Sequence, residues 1–586
     1  MMLTRFIHRI NRSHAPLSAQ ANATPLAQWS LLLSVVLFGL NTAWALSPDQ
    51  PVDVLLINGR IIDGTGSPWY HGELAITGDR IVAVGALQGI KAKKIIDVHN
   101  RVIAPGFIDM LGQSELSILV DPKLPSKIYQ GITTEITGEG NSVAPLNKAT
   151  EPLITGSLKH YGLTAQWGDF TGYFNQLRQR GMGINLGTYI GASTVRAAIV
   201  GYDNRPATAS ELLQMQALVA DGMRQGALGV SSSLQYAPAP YASTEELIAL
   251  AQTAASFGGV YATHMRSEGA GLLSALDETF AIGDKAHIPV EIWHLKAAGK
   301  AQFGLMPTVV NKINQARARG IDVAADTYGY TAWYNSMSAF IPPWAHEGGD
   351  QRLISRLKNP KERAKIRTEL LGSDQTWDNE WQEVGDPNGI LIGVTHNPKL
   401  HDLQGKTIAE IAASRHSDPI DTLMDILIED DALTECAVFG MQESDVALGV
   451  TQPWMSFNND SSGTSPEGVL GKDHPHPRAY GTFPHALKRY VRDQKLVSLE
   501  AMIQKFSSLP ASRLHLSDRG VIKTGMKADL VVFDPESITD LATFAEPNQL
   551  SRGMEWVFVN GKAVIDQGVM TGALPGEVIL GPGATR

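Results

Sequence analysis

The sequence predicts an α/β protein: a (β/α)8 TIM-like barrel with a small β-sandwich domain formed by both chain ends and an inserted lid region. Three observations predict it. Through the middle of the chain, eight apolar strand-like segments alternate with helical stretches, the rhythm of a parallel barrel. Both ends read instead as short strands with tight turns. One interval of more than a hundred residues, between Asp326 and Trp454, breaks the alternation, as a large loop insertion would.

The elements follow in chain order. The first residues carry Arg5, Arg9 and Arg12, and no acidic residue precedes Asp49. An apolar run, Trp29 to Leu40, is followed by the small-x-small step Ala43-Trp-Ala45. That order is a secretory signal, residues 1–45, and it predicts export across the inner membrane to the periplasm. The run is shorter than the ~20 residues of a membrane span, so no stable span is expected after removal. Residues 46–103 form the N-terminal part of the β domain. Val52 to Ile57, Asn58-Gly59 and Arg60 to Asp63 give its first hairpin signal.

Barrel strands are expected at Val102–Met110, Thr133–Gly138, Gly183–Gly191, Ala227–Ser232, Val260–Met265, Val290–Leu295, Asp322–Asp326 and Trp454–Asn458. Helices such as Ala209–Gln225 and Ser243–Phe257 lie between them. Ser243 and Glu246 have capping-box spacing. The barrel then covers residues 104–515, with an insertion at about 340–450. The insertion contains helical stretches at Asp350–Leu371 and Ile408–Ile428 and sits where it can cover the active-site face. Residues 516–586 complete the β domain, with Asp529 to Phe533 and Trp556 to Val564 as its strands.

Composition narrows the function. The 586 residues carry a net charge of -10, and Lys and Arg are not clustered. A diffuse acidic surface excludes a nucleic-acid partner of the usual kind. A single cysteine, Cys436, excludes an intrachain disulfide. Oligomeric state is not set by the sequence.

A barrel places its chemistry at the C-terminal ends of its strands. Glu139, His264, His294, Asp326 and Asp460 all fall at or just beyond such ends. Histidines with carboxylates suit a divalent ion, zinc first, with manganese or iron also open. Such an ion polarises a carbonyl and lowers the pKa of water toward ~7. A nearby carboxylate then serves as base. Other strings carry less. His474-Pro-His476-Pro reads as a stiffened loop, and Glu268-Gly-Ala-Gly271 as a turn. Ser231-Ser-Ser233 lacks the Gly-x-Ser-x-Gly elbow of a serine nucleophile.

Four segments carry a family resemblance: Ala104-Pro-Gly-Phe-Ile-Asp-Met110, Tyr261-Ala-Thr-His-Met-Arg266, His294-Leu-Lys-Ala-Ala-Gly299 and His476-Pro-Arg-Ala-Tyr-Gly-Thr-Phe483. From about residue 52 to the C-terminus the chain resembles the N-acyl-D-amino-acid deacylases (D-aminoacylases) of the amidohydrolase superfamily. The resemblance implies a barrel with a small β domain and hydrolysis of a linear amide. It implies His264 and His294 as ligands of the tightly held zinc. Asp460 is implied as the catalytic base that can also approach the metal. Arg478 is implied as the partner of a substrate carboxylate, with Lys296 and Tyr328 lining the substrate site.

Two departures stand out. The family's first strand ends in Asp-x-His-x-His, where this chain has Asp109-Met-Leu111-Gly-Gln113. Leu111 cannot ligate and Gln113 offers only a neutral carbonyl oxygen, so the second metal position is expected to be empty. The family's cysteine ligand is replaced by Gly138-Glu139-Gly140, which makes Glu139 the natural third ligand. The expectation is one divalent metal and a small-molecule substrate, an N-acyl amino acid, the D configuration included, or a short peptide. The alternatives are a dipeptidase, a cyclic-amide hydrolase, or a non-catalytic binding descendant.

Overall fold

The computed structural model describes residues 50–372 and 377–585. The signal segment expected at residues 1–45 lies outside the described residues. Among them, no helix is long and apolar enough to cross a membrane.

Eight parallel strands follow one another around a barrel. They are Phe107–Asp109, Ile132–Thr137, Asn185–Thr188 continued as Ile190–Gly191, Gly229–Ser233, Val260–His264, Val290–Ile292, Val323–Thr327 and Met455–Phe457. Each is hydrogen-bonded in parallel to the next. The third strand changes partner at Tyr189: its first piece pairs with the second strand and its last two residues with the fourth. The ring closes where Met110 N–H donates to Phe457 O at 3.3 Å. Every residue of the fourth and fifth strands is buried, because barrel strands are covered on both faces. That is why they read as continuous apolar and small-residue runs.

Helices Ala209–Gln225, Thr244–Ala255, Leu272–Ala286 and Met306–Ala318 follow successive strands. Thr208 caps the first through a complete capping box with Glu211. At the second, Ser243 accepts from Glu246 N at 3.2 Å, but the expected return bond is replaced. The Glu246 carboxylate turns to Arg196, 2.6 Å away and buried, because a buried guanidinium must be paired.

The stretch expected as one strand, Val102–Met110, is two. Val102–Pro105 belongs to the small β domain and Phe107–Asp109 to the barrel. Gly106 makes the crossing, and a Cβ there would lie 2.2 Å from Thr133 Oγ1. The two chain ends meet in one nine-stranded sheet. Leu530–Phe533 pairs antiparallel with Val102–Pro105, and Val52–Ile61 pairs with Tyr70–Thr77, Ala92–Asp97 and Val102–Pro105. Leu56, Ile76, Ile81, Val532 and Phe558 share its buried core.

Between the seventh and eighth strands, the insertion folds around its own core, including Leu353, Leu357, Ile366, Leu423 and Val438. Trp333–Ser336, Glu435–Val438 and Ile390–Ile392 form its antiparallel sheet. Each long helical stretch expected there is broken in two. Asn359-Pro360 separates Asp350–Lys358 from Pro360–Leu371, and Asp418-Pro419 starts Pro419–Glu429 after Ile408–Arg415. A residue before proline avoids the helical region, and Asn359 and Asp418 then cap the following helix.

Candidate metal centre

The loops after the second, fifth, sixth and eighth strands bring four of the expected residues together. Glu139 sits between Gly138 and Gly140, whose φ angles are 96° and 63°. Glycine is needed at both: a Cβ would lie 2.8 Å from Tyr189 O at the first and 2.5 Å from Ser233 Cβ at the second. This turn delivers the Glu139 carboxylate to the barrel mouth. His264 ends the fifth strand. His294 and Asp460 hold left-handed backbones, φ 37° and 43°, which are costly for non-glycine residues and persist where surrounding bonds enforce them. Asp326 Oδ1 accepts from His294 N at 2.5 Å, and Leu111 O accepts from Asp460 N at 2.7 Å. Asp326 thus anchors the His294 backbone and is not itself at the centre.

Glu139 Oε1 lies 3.0 Å from His264 Nδ1 and 3.3 Å from His294 Nε2. One donor atom from each of the three residues falls within 4.8 Å of the others. Two imidazoles and a carboxylate, converging and largely buried, fit a divalent ion such as zinc. Charge supports the same fit. Burial would raise the Glu139 carboxyl, yet hydrogen bonds from both histidines hold it well below the usual range. Burial and Lys296 push His294 down, but Glu268, Asp460 and Glu139 outweigh them and lift it to about 10. The carboxylates therefore demand a positive charge at this point, which a cation would supply on displacing the proton.

Around these three lie the remaining expected residues. Lys296 Nζ is 2.8 Å from His294 Nδ1 and 2.6 Å from Glu268 Oε1. Asp460 Oδ2 is 2.9 Å from Arg478 Nη1. That contact is out of hydrogen-bond alignment, and neither Nη1 nor Nε of this buried guanidinium has a hydrogen-bond partner. Tyr328 lies beneath it, with the guanidinium carbon 4.6 Å from the ring centroid. A cavity of about 170 Å³ exposes Glu139, His264, His294, Lys296 and Asp460 together. The insertion contributes Tyr334, Asn335, Glu380 and Glu435 to its wall.

Three functional side chains escaped the sequence reading. Glu268, taken as part of a turn, is a buried carboxylate 2.9 Å from His294 Nδ1. Its spacing of four residues from His264 was the available signal. Gln113 acts through its amide N–H groups, not its carbonyl: Nε2 donates to Glu139 Oε2 at 2.9 Å and to Asp460 Oδ1 at 3.2 Å. Lys127, fully buried, places its ammonium 2.9 Å from Asp109 Oδ2 and 3.4 Å from Glu135 Oε1. At the end of the first strand, an ammonium and a buried Leu111 thus stand beside the carboxylate. His474 hydrogen-bonds Phe544 O at 2.7 Å, and His476 accepts from Arg478 N at 2.9 Å, so the His-Pro-His-Pro string serves the loop.

Residues 94–565 match the amidohydrolase family. The chain belongs to that family. It is 34% identical over 534 residues to D-aminoacylase of Alcaligenes xylosoxydans xylosoxydans, spanning 91% of this chain and 98% of that one. Among solved structures, N-acyl-D-glutamate deacylase of Bordetella bronchiseptica, bound to zinc and a phosphonate mimic of the tetrahedral intermediate, is 29% identical. It superposes with a TM-score of 0.76, covering 91% of this amidohydrolase and all of that chain. A D-aminoacylase structure at 34% identity and TM-score 0.74, covering 91% and 100%, is described in terms of one-metal activation and second-metal attenuation of a binuclear centre.

Proposed function

We propose that this amidohydrolase removes the acyl group from N-acyl amino acids of D configuration, working with one divalent cation, zinc first, held by Glu139, His264 and His294. The observation that carries the reading is the convergence of those three side chains within 4.8 Å, beside a base and the guanidinium paired with it. A cation there supplies Lewis acidity to a carbonyl oxygen and makes water acidic near neutral pH. The relatives' names, D-aminoacylase and N-acyl-D-glutamate deacylase, support the substrate class and its handedness.

The chain's own residues divide the remaining work. Asp460 accepts the proton of the attacking water and hands it to the departing amine. Gln113 holds the Asp460 carboxylate toward Glu139. Arg478, whose Nη2 donates to Tyr334 O at 3.1 Å and whose Nη1 lies 2.9 Å from Asp460 Oδ2, offers its guanidinium charge to the carboxylate of the amino acid. Tyr328 keeps that guanidinium in place from below. The His294 Nδ1–H donates to Glu268, 2.9 Å away, and Lys296 pairs with that carboxylate at 2.6 Å, which fixes the ring with the outer support a metal-binding imidazole requires. A single cation is favoured because Leu111 and Gln113 offer no charged donor, and because the Lys127 ammonium stands beside Asp109. The basic and apolar N-terminal segment supports a periplasmic location.

Hydrolysis of N-acetyl-D- and N-acetyl-L-amino acids by the full chain carrying one equivalent of zinc tests the reading. Release of acetate from the D series only is expected. No hydrolysis with zinc, manganese or iron would overturn it.

A further inference from the structure

Next to the reaction cavity lies a second chamber of about 330 Å³, and the two share Gln113, Glu139, Tyr236, Tyr334, Glu435 and Asp460. A group carried by a substrate at the metal centre therefore reaches it directly. Among the described residues, its lining contains no lysine and no arginine. Beyond Glu139, Glu435 and Asp460, which it shares with the reaction cavity, it adds two carboxylates, Glu115 and Asp473. Its lining histidines are His160, whose Nε2 sits 3.0 Å from Asp473 Oδ2, and His396; Arg478, outside the lining, is paired with Asp460 at 2.9 Å.

Three oxygens in this lining lack any hydrogen-bond partner: Glu115 Oε2, Asp473 Oδ1 and Ser233 Oγ. Ser233 is 3% exposed, so water from bulk does not serve it. Buried acceptors without donors are costly. Asp473 is left half-served, since His160 takes only its other oxygen. Burial, with the neighbouring Glu135 and Glu139, lifts the Glu115 carboxyl to about 7. Burial and Asp473 do the same for Glu435. The lining also has apolar members, Leu116, Val143, Leu153 and Ile154.

We propose that this chamber receives a cationic side chain, so that the preferred substrates are N-acyl amino acids bearing an ammonium or guanidinium group. An ammonium has three donors and no acceptor, and a guanidinium five, which matches unpartnered carboxylate and hydroxyl oxygens. A lysine- or arginine-like stem can bury its methylenes against the apolar members while its head meets the polar ones. A second metal ion is the poorer occupant. Among the described residues, only Glu139, His264 and His294 bring three such donors within 4.8 Å, whereas these carboxylates surround a space. A substrate with a second carboxylate would meet five carboxylates here against two histidines. The inference rests on the deacylase reading above and adds to it the chemistry of the side chain.

The test uses the zinc-loaded full chain with N-acetyl-D-lysine, N-acetyl-D-norleucine and N-acetyl-D-glutamate. The lysine substrate should exceed its neutral counterpart by about tenfold or more in kcat/KM, with glutamate lowest. Glu115→Gln and Glu435→Gln should each narrow the lysine-to-norleucine ratio. Calorimetry with the products D-lysine and D-norleucine reads the chamber without turnover, and D-lysine should bind more tightly. Equal ratios, or a preference for glutamate, would overturn the proposal even if all three substrates are cleaved. If none is cleaved, the deacylase reading falls, and calorimetry decides the chamber: tighter D-lysine supports it and equal affinities overturn it.

Discussion

Replacing Gln113 by alanine should slow the enzyme without emptying its metal site. The Gln113 backbone is held by Ser461 O at 3.1 Å and by Ser462 Oγ at 2.8 Å. Its side chain is therefore fixed in place, with Nε2 shared between Asp460 Oδ1 and Glu139 Oε2. A hydrogen bond to a charged group contributes ~1.5–3 kcal/mol net. Losing the bond that orients the base should cost about 2 kcal/mol in the transition state, or roughly 30-fold in kcat. Losing the bond behind Glu139 acts on the ligand from outside, where such changes weaken metal affinity about 10-fold or more. Saturating zinc should therefore still bind at one equivalent. Gln113→Glu should be worse than Gln113→Ala, because it sets a third carboxylate against two. The assay is steady-state hydrolysis of an N-acetyl-D-amino acid at saturating metal, with zinc affinity measured separately. A kcat within twofold of the parent in Gln113→Ala would refute the positioning role.

Other consequences follow from the same geometry. Arg478→Lys keeps the charge but loses the planar fork, so KM should rise about 10-fold or more; an unchanged KM would place the substrate carboxylate elsewhere. Lys127→Met leaves Asp109 and Glu135 buried with no ammonium. It should destabilise the chain by about 3–5 kcal/mol, visible as a lowered urea midpoint, and a parent-like midpoint contradicts this. Burial pushes the Glu380 carboxyl up to about 8 from an ordinary 4.5. Between those values the folded chain holds a proton that the unfolded chain releases, so this group makes stability fall as pH rises, by at most roughly 1.4 kcal/mol per pH unit. Glu380→Gln should flatten that slope, and a midpoint difference from the parent that does not change with pH would contradict the assignment.

Much of this site could be read from the sequence, for a physical reason. Barrel strands buried on both faces are mostly apolar or small, with exceptions such as Glu135 and Glu291, so the polar residues at their C-terminal ends, His264 and His294 among them, stand out against the pattern. Glu139 stands out through its flanking glycines. The side chains that the sequence hid act through partners distant in the chain. Lys127 lies in the short helix Pro125–Ile128, where a lone lysine reads as surface until Asp109 and Glu135 close around it. Glu268 sits in a glycine-rich turn that gives no hint of the Lys296 ammonium waiting for it. Gln113 was read through its carbonyl because its two carboxylate partners come from the second and eighth strands. The broken helices were open to reading at Asn359-Pro360 and Asp418-Pro419, where capping and proline act locally.

The central claim is that one cation, held by Glu139, His264 and His294, serves this amidohydrolase. Elemental analysis of the purified chain, dialysed after exposure to excess zinc, tests it most directly alongside Glu139→Ala and His294→Ala. About one equivalent in the parent and little in either variant is the predicted result. Two equivalents in the parent, or one retained in both variants, would contradict it.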